Sequence, residues 1–303
     1  LRLIGLPVHG DGLEQAELIV GQIRMPRTLL GLAVGGVLAL SGVAMQGLFR
    51  NPLADPGLVG VSSGASLGAA IAIVGGSALG GLPDSLGPYL LSLCAFLGGL
   101  GVTALVYRLG RRNGQTSVAV MLLAGIALTA LAGAAVGLFT YLADDATLRT
   151  LTFWNLGSLN GASYARLWPL LFVTAGVALW LPRRAKALNA LLLGESEASH
   201  LGINVESLKR ELVFCTALGV GAAVAAAGMI GFVGLVVPHL VRLLAGPDHR
   251  VLLPASVLAG ACLLLFADLI ARLALAPAEM PIGIVTAFIG APFFLYLLLR
   301  GRH

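Results

Sequence analysis

The chain is built from long apolar runs that no charge interrupts. LLGLAVGGVLALSGVAMQGLF, from Leu29, is one of them, and it has the length a helix needs to cross bilayer hydrocarbon, about 20 residues. Similar runs fall at 28–48, 57–76, 88–107, 117–142, 164–182, 212–228, 230–245, 254–273 and 282–299, about nine candidate crossings by that length criterion. The seventh is short and Gly-rich, with Pro238 and His239 inside it, and is expected to be broken or partly buried. No segment alternates with the period of a barrel strand, and an open sheet edge has no place in lipid. The fold class is therefore all-α, a polytopic helical membrane bundle.

Composition supports this. Hydrophobic residues make up 58% of the chain and charged residues 11%, whereas a soluble domain carries about 25% charged residues. So few charges cannot cover a water-facing surface. The 41 glycines suit helices that approach backbone to backbone in lipid. Cys94, Cys215 and Cys262 each lie in apolar sequence without a CxxC pair, which excludes a disulfide framework or zinc site of the usual spacing and leaves them as small apolar fillers.

The net charge of +5 does not point to nucleic acid, because the basic residues stand between apolar runs rather than in one patch. Their distribution sets an orientation. Arg50, Arg108, Arg111, Arg112, Arg183, Arg184, Lys186, Lys209, Arg210, Arg242, Arg250, Arg300 and Arg302 fall on one side, which is then cytoplasmic. The smaller group, Arg2, Arg24, Arg27, Arg149, Arg166 and Arg272, falls outside. The opening LRLIGLPVHGDGLEQAEL lacks the basic start and apolar core of a signal peptide. An outside N-terminus without a signal predicts a further span ahead of Leu1.

The cytoplasmic segment PRRAKALNALLLGESEASHLGINVESLKRE differs from the other loops. Regular apolar positions predict short helices over 187–195 and 197–201, broken at Gly194 and Gly202, and a long ordered loop in a compact protein usually has a function. Asn51-Pro52 and Asp55-Pro56 read as turn formers. There is no phosphate-binding GxxxxGK, GxSxG or HExxH motif. Asp268 is the one carboxylate deep in a run, and Arg272 one turn later is placed to pair with it. The chain offers no catalytic site, no metal site and no relay of intramembrane carboxylates of the kind an ion-driven carrier uses. It reads as a permease without its own energy source, with a loop placed to dock a motor.

Four long stretches carry a family resemblance: QIRMPRTLLGLAVGGVLALSGVAMQGLFRNPLADPGLVGVSSGASLGA from Gln22, LLLGESEASHLGINV from Leu191, GMIGFVGLVVPHLVRLLAGPDHRVLLPASVLAGACLLLFADLIAR from Gly228 and APAEMPIGIVTAFIGAPFFLYLLLR from Ala276. They resemble, in order and across essentially the whole chain, the permeases of type II ATP-binding cassette importers for vitamin B12, ferric siderophores and haem. The resemblance implies one transmembrane permease domain over 1–303, with cytoplasmic coupling helices within about 187–207. The family fold has ten transmembrane helices per subunit, the first of them absent from this chain. It also implies a homodimer in the bacterial inner membrane, two ATPase subunits that bind ATP and Mg, and a periplasmic substrate-binding protein; this chain itself holds no cofactor.

Residue by residue, the resemblance gives Arg24, Arg27 and Arg272 as docking points for acidic residues of the binding protein. Gly194, Glu195, Ala198, Leu201 and Gly202 match the segment that couples to the ATPase. Asn51 and Leu53 match the cytoplasmic gate. Val118 and Ala119 match the inner end of a pathway-lining helix; both are apolar where the vitamin B12 permease has small hydroxyl residues. TYLADDATLRTLTFWNLGSL from Thr140 and LALAPAEMP from Leu273 resemble haem permeases most closely, so haem is the first expected substrate, with a ferric siderophore or vitamin B12 second. His239 belongs to a PH pair shared across substrates, which favours a structural role over haem ligation. A secondary carrier driven by an ion gradient is the alternative of another class, which a requirement for ATP would exclude.

Overall fold

The computed structural model describes residues 17–78 and 87–300. A π-helical lead-in, Ile19–Arg24, runs directly into α1, Met25–Phe49, so the first apolar run is part of a single rod. Pro26 lies inside this rod and lacks the N–H a helical ladder would use; the π-helical turn precedes it, and the Gly21 carbonyl accepts instead from the Tyr164 hydroxyl at 2.9 Å. Arg50 ends the helix in the left-handed region at φ 48°. A short 3-10 turn, Pro56–Val59, leads to α2, Val61–Ala78. Then follow α3, Gly87–Gly110, a two-residue-per-strand hairpin (β1 Arg111–Arg112, β2 Gln115–Thr116) and α4, Val118–Leu142. The second half comprises α5, Asp145–Asn155; α6, Tyr164–Trp180; α7, Ala185–Leu193; α8, Glu195–His200; α9, Val205–Ala227; α10, Val233–Ala245; α11, His249–Leu273; and α12, Ile282–Arg300.

Six of the described helices are long and apolar enough to cross a membrane, and three shorter apolar helices, Val61–Gly76, Val233–Ala245 and Ile282–Leu297, stand where the other expected spans fall. The seventh expected run is shortened because 228–232 forms a turn, with Gly228 and Phe232 both at positive φ. The run expected to begin at 212 begins at Val205 instead, since the polar turns VESLKRE are helical and packed against the protein. The small helix α5 and the hairpin are not visible as hydrophobic periods. Asp144 caps α5 by accepting the Thr147 N–H at 2.8 Å, a polar signal in a segment with no apolar run.

α1 is the hub. It packs against α6, α9, α10 and α11, and its middle, from Leu30 to Leu48, is nearly all buried. Lipid is as apolar as these side chains, so close van der Waals packing rather than water exclusion holds the helices together. One close crossing shows how: α1 and α11 meet at Gly35 and Gly260, where a Cβ on either would run into the carbonyl of the other. Gln46, also fully buried, donates to the Leu235 carbonyl of α10 at 3.2 Å, an interhelical bond of about 0.6–2 kcal/mol in such settings.

The periphery is different. α4 buries only Met121, Gly125 and Ala132, leaving Leu123, Ile126, Leu131, Leu138 and Tyr141 exposed, and α12 leaves Phe288 and Leu295 exposed.

Candidate functional site

Functional residues gather at two ends of the bundle and along one wall. At the outer end, the first turn of α1 carries Arg27 to the last turns of α11 and the segment after it. Arg27 Nη2 lies 2.9 Å from Asp268 Oδ1, and its Nη1 lies 3.0 Å from Glu279. Arg27 Nε also donates to Asp268, at 3.1 Å. Asp268 does sit one turn before Arg272, but that pair is longer, 3.6 Å. The nearer partner of Asp268 is Arg27, far away in sequence, because α1 crosses α11 there. The Arg27 and Asp268 side chains are 13% and 10% exposed, whereas Arg272 is 38% exposed. Arg24 is exposed. Of the three arginines, Arg24 and Arg272 present charge outward, while Arg27 spends its hydrogen bonds within the chain.

At the end of the bundle that the charge count reads as cytoplasmic, α7 and α8 are joined by the single residue Gly194, whose φ of 127° is open to glycine and strained for other residues. Gly202, at φ 81°, ends the pair. Ala198 is fully buried within the chain, so its small size serves the packing of α8 on the bundle rather than an outer surface. The exposed apolar residues here are Leu192, Leu193 and Leu201, and Leu193 and Leu201 are 69% and 65% open. Glu195, 42% exposed, reaches the buried Lys209 of α9 at 2.7 Å. Lys209, one of the cation-rich side's residues and followed by Arg210, lies in packed helix and is buried.

The turn after α1 holds Asn51 and Leu53. Asn51 Oδ1 accepts the Leu53 N–H at 2.9 Å, and Asp55 Oδ1 accepts the Gly57 N–H at 2.7 Å, two successive side-chain-capped turns of the kind the Asn-Pro and Asp-Pro pairs favour. Burial holds the Asp55 carboxyl above the usual carboxylate range, with the Gly57 N–H acting the other way. Asn51 is exposed and Leu53 half-buried. His239 lies edge-on to Phe293 of α12, ring centres 6.1 Å apart.

Val118 and Ala119 open α4, half-buried and exposed respectively, just after Ser117, which caps the helix. A cavity of about 690 Å³ lies between the start of α2, the end of α5, the 228–232 turn and α12, lined among others by Ser62, Asn155, Met229, Ile284 and Phe288. Its wall is mostly apolar. Polar groups nearby are paired: Ser66 with Asn155 at 2.7 Å, and Ser63 with Thr129 of α4 at 3.1 Å.

Residues 7–300 match the model of the FecCD transport family. The chain is 50% identical over 291 residues to the hemin transport system permease protein HmuU of Yersinia pestis, covering 93% of this chain and 83% of that one. It is 46% identical over 289 residues to the vitamin B12 import system permease protein BtuC of Escherichia coli O9:H4 (strain HS), covering 95% and 86%. Among solved structures, a metal-chelate type ABC transporter in an inward-facing conformation superposes with a TM-score of 0.86 at 36% identity, over 97% of this chain and 91% of that one. PsaBC from Streptococcus pneumoniae shares the fold, with a TM-score of 0.65 at 17% identity over 94% of each chain.

Proposed function

This chain belongs to the FecCD transport family and is a multi-pass permease of the ATP-binding cassette importer type, and we propose that its substrate is haem. The observation that carries this reading is the likeness to the hemin permease, 50% against 46% for the vitamin B12 permease. The apolar pair Val118 and Ala119 at the start of α4 supports it, because a flat, largely apolar ligand needs few polar contacts from the wall it passes.

In this reading the chain works as a homodimer in the bacterial inner membrane, with the open faces of α4 and α12 towards the shared path. Asn51 and Leu53 close the path at its cytoplasmic end. A loaded periplasmic binding protein docks on Arg24 and Arg272. Two ATPase subunits, which bind ATP and Mg, seat against Leu193 and Leu201 beside the Gly194 corner. Nucleotide-driven movement of α7 and α8 then opens the two ends in turn, and the ligand crosses chemically unchanged.

The test is uptake into proteoliposomes holding the chain with its ATPase and binding-protein partners. ATP-dependent entry of haem, with cyanocobalamin and ferric siderophores excluded, is the expected result. Entry of cyanocobalamin in preference to haem would reassign the substrate. Uptake driven by an ion gradient without ATP would overturn the class of transporter.

A further inference from the structure

Lys209 is the least expected side chain in the molecule. Its ammonium sits at 2% exposure in the second turn of α9, and it makes three contacts to three different parts of the chain. It donates to Glu195 Oε2 at 2.7 Å, to the Thr116 carbonyl at 2.8 Å and to Glu206 Oε1 at 3.2 Å. Glu206 is on its own helix, one turn earlier. Glu195 is the first residue of α8, immediately after the Gly194 corner. Thr116 ends the hairpin, one residue before Ser117, the cap of α4.

A buried ammonium is retained only where acceptors replace the water it has lost, and here every acceptor but one comes from an element that is otherwise held apart. Between α8 and the hairpin lies a polar cleft of about 710 Å³, lined by Arg112, Asn113, Gln115, Ser196 and Ser199 among others, with Lys209 among the residues that bound it. The two elements thus face each other across open space, and beneath it Lys209 bonds to both. The connection is short and directional: a displacement of Glu195 must either drag the Thr116 carbonyl with it or break a charge-assisted hydrogen bond to a buried ammonium.

We propose that Lys209 is a positioning residue that transmits movement of the ATPase-facing helix α8 to the base of α4. The proposal rests on the reading of the chain as an ATP-driven permease. It assigns α8 and the α3–α4 hairpin to one mechanical unit, with Lys209 as the pin and the Gly194 corner as the joint about which the unit turns against α7.

The experiment uses the full complex in proteoliposomes with haem as probe. Glu195→Gln turns the charge-assisted hydrogen bond to α8 into a weaker one to a neutral amide oxygen and leaves Lys209 held by Glu206 and the Thr116 carbonyl, so the fold is kept; Lys209→Met removes the pin entirely. Haem delivered per ATP hydrolysed is expected to fall about tenfold in Glu195→Gln, within the range of measured coupling between sites, and at least as far in Lys209→Met. A loss of folded complex alone would lower uptake and hydrolysis together and leave their ratio unchanged. With Cys94, Cys215 and Cys262 replaced, spin labels at Gln115 and Ser196 report the width of the cleft. In the unmodified complex that distance should be the same with and without ATP, and in Glu195→Gln it should change on ATP binding. An unchanged haem-to-ATP ratio in Glu195→Gln, or a cleft that changes width with ATP in the unmodified complex, would overturn the proposal. Failure of the underlying reading is distinct: the unmodified complex would take up no haem with ATP, while the label distances would still decide the fate of the pin.

Discussion

Arg27 and Asp268 lie 2.9 Å apart at the outer crossing of α1 and α11, and Glu279 shares the same guanidinium at 3.0 Å. Two carboxylates therefore depend on one arginine, and that arginine is only 13% exposed. Its first duty is to the fold, which separates it from its neighbour Arg24.

Arg27→Ala is expected to destabilise the detergent-solubilised chain by about 2–3 kcal/mol, the scale for a charged hydrogen bond lost from a partly buried pair. Adding Asp268→Asn should restore part of the loss, since it removes the more buried of the two carboxylates that Arg27 held and leaves only Glu279, 37% exposed, to be met by water. Thermal unfolding of both variants checks this. Arg24→Glu should leave the unfolding temperature unchanged and weaken binding-protein docking, more so at low salt because an exposed charge is screened.

A second pair of outcomes separates packing from docking at the cytoplasmic end. Ala198 is fully buried, so Ala198→Trp should lower the unfolding temperature before any partner is added; overpacking of this kind costs about 1–3 kcal/mol or more. Leu201→Asp and Leu193→Asp, on exposed positions, should leave stability intact and abolish co-purification of the ATPase. Retained co-purification in both would remove these leucines from the docking surface.

The Asp55 turn gives a pH prediction. Burial raises its carboxyl pKa, so the folded chain holds that proton more tightly than the unfolded chain. Stability from this group is full at pH below the unfolded value, about 4, and is lost as pH rises through the higher folded value. Asp55→Asn keeps the acceptor for Gly57 and removes the charge. Its unfolding temperature should therefore gain on the wild type as pH rises towards neutral. Asp55→Ala, which loses the turn as well, should cost about 0.5–2 kcal/mol, by analogy with other side-chain caps.

Gly35→Leu places a branched side chain against the Gly260 backbone. Neither partner can yield, because the obstruction is main chain rather than a flexible side chain. The variant is expected to express poorly and to fail to elute as a single species in size-exclusion chromatography.

The long runs made the helices legible, since the bilayer demands length and apolarity of any crossing segment. The turns at Asn51 and Asp55 were equally legible, because their side chains bond backbone two residues on. Partnerships between distant segments were not. Sequence spacing placed Asp268 with Arg272, whereas the crossing of α1 over α11 placed it nearer Arg27. Ala198 was legible as small, but which side of α8 it faced depended on how the helix lies on the bundle. Lys209 looked like one more cytoplasmic cation, and only the folded hairpin gives it the Thr116 carbonyl.

Where Gly35 meets Gly260, main chain lies against main chain with no side chain between α1 and α11. Side chains act as lubricant in a protein: they change rotamer and let helices slide. A contact made of main chain has no such slack, so these two helices form the keel of the molecule and travel together. Conformational change during a transport cycle must then run along the loosely held flanks, at α4 and α12, where large apolar residues stand free. A cross-link between α1 and α11 should be silent, and one that ties α4 down should arrest the cycle.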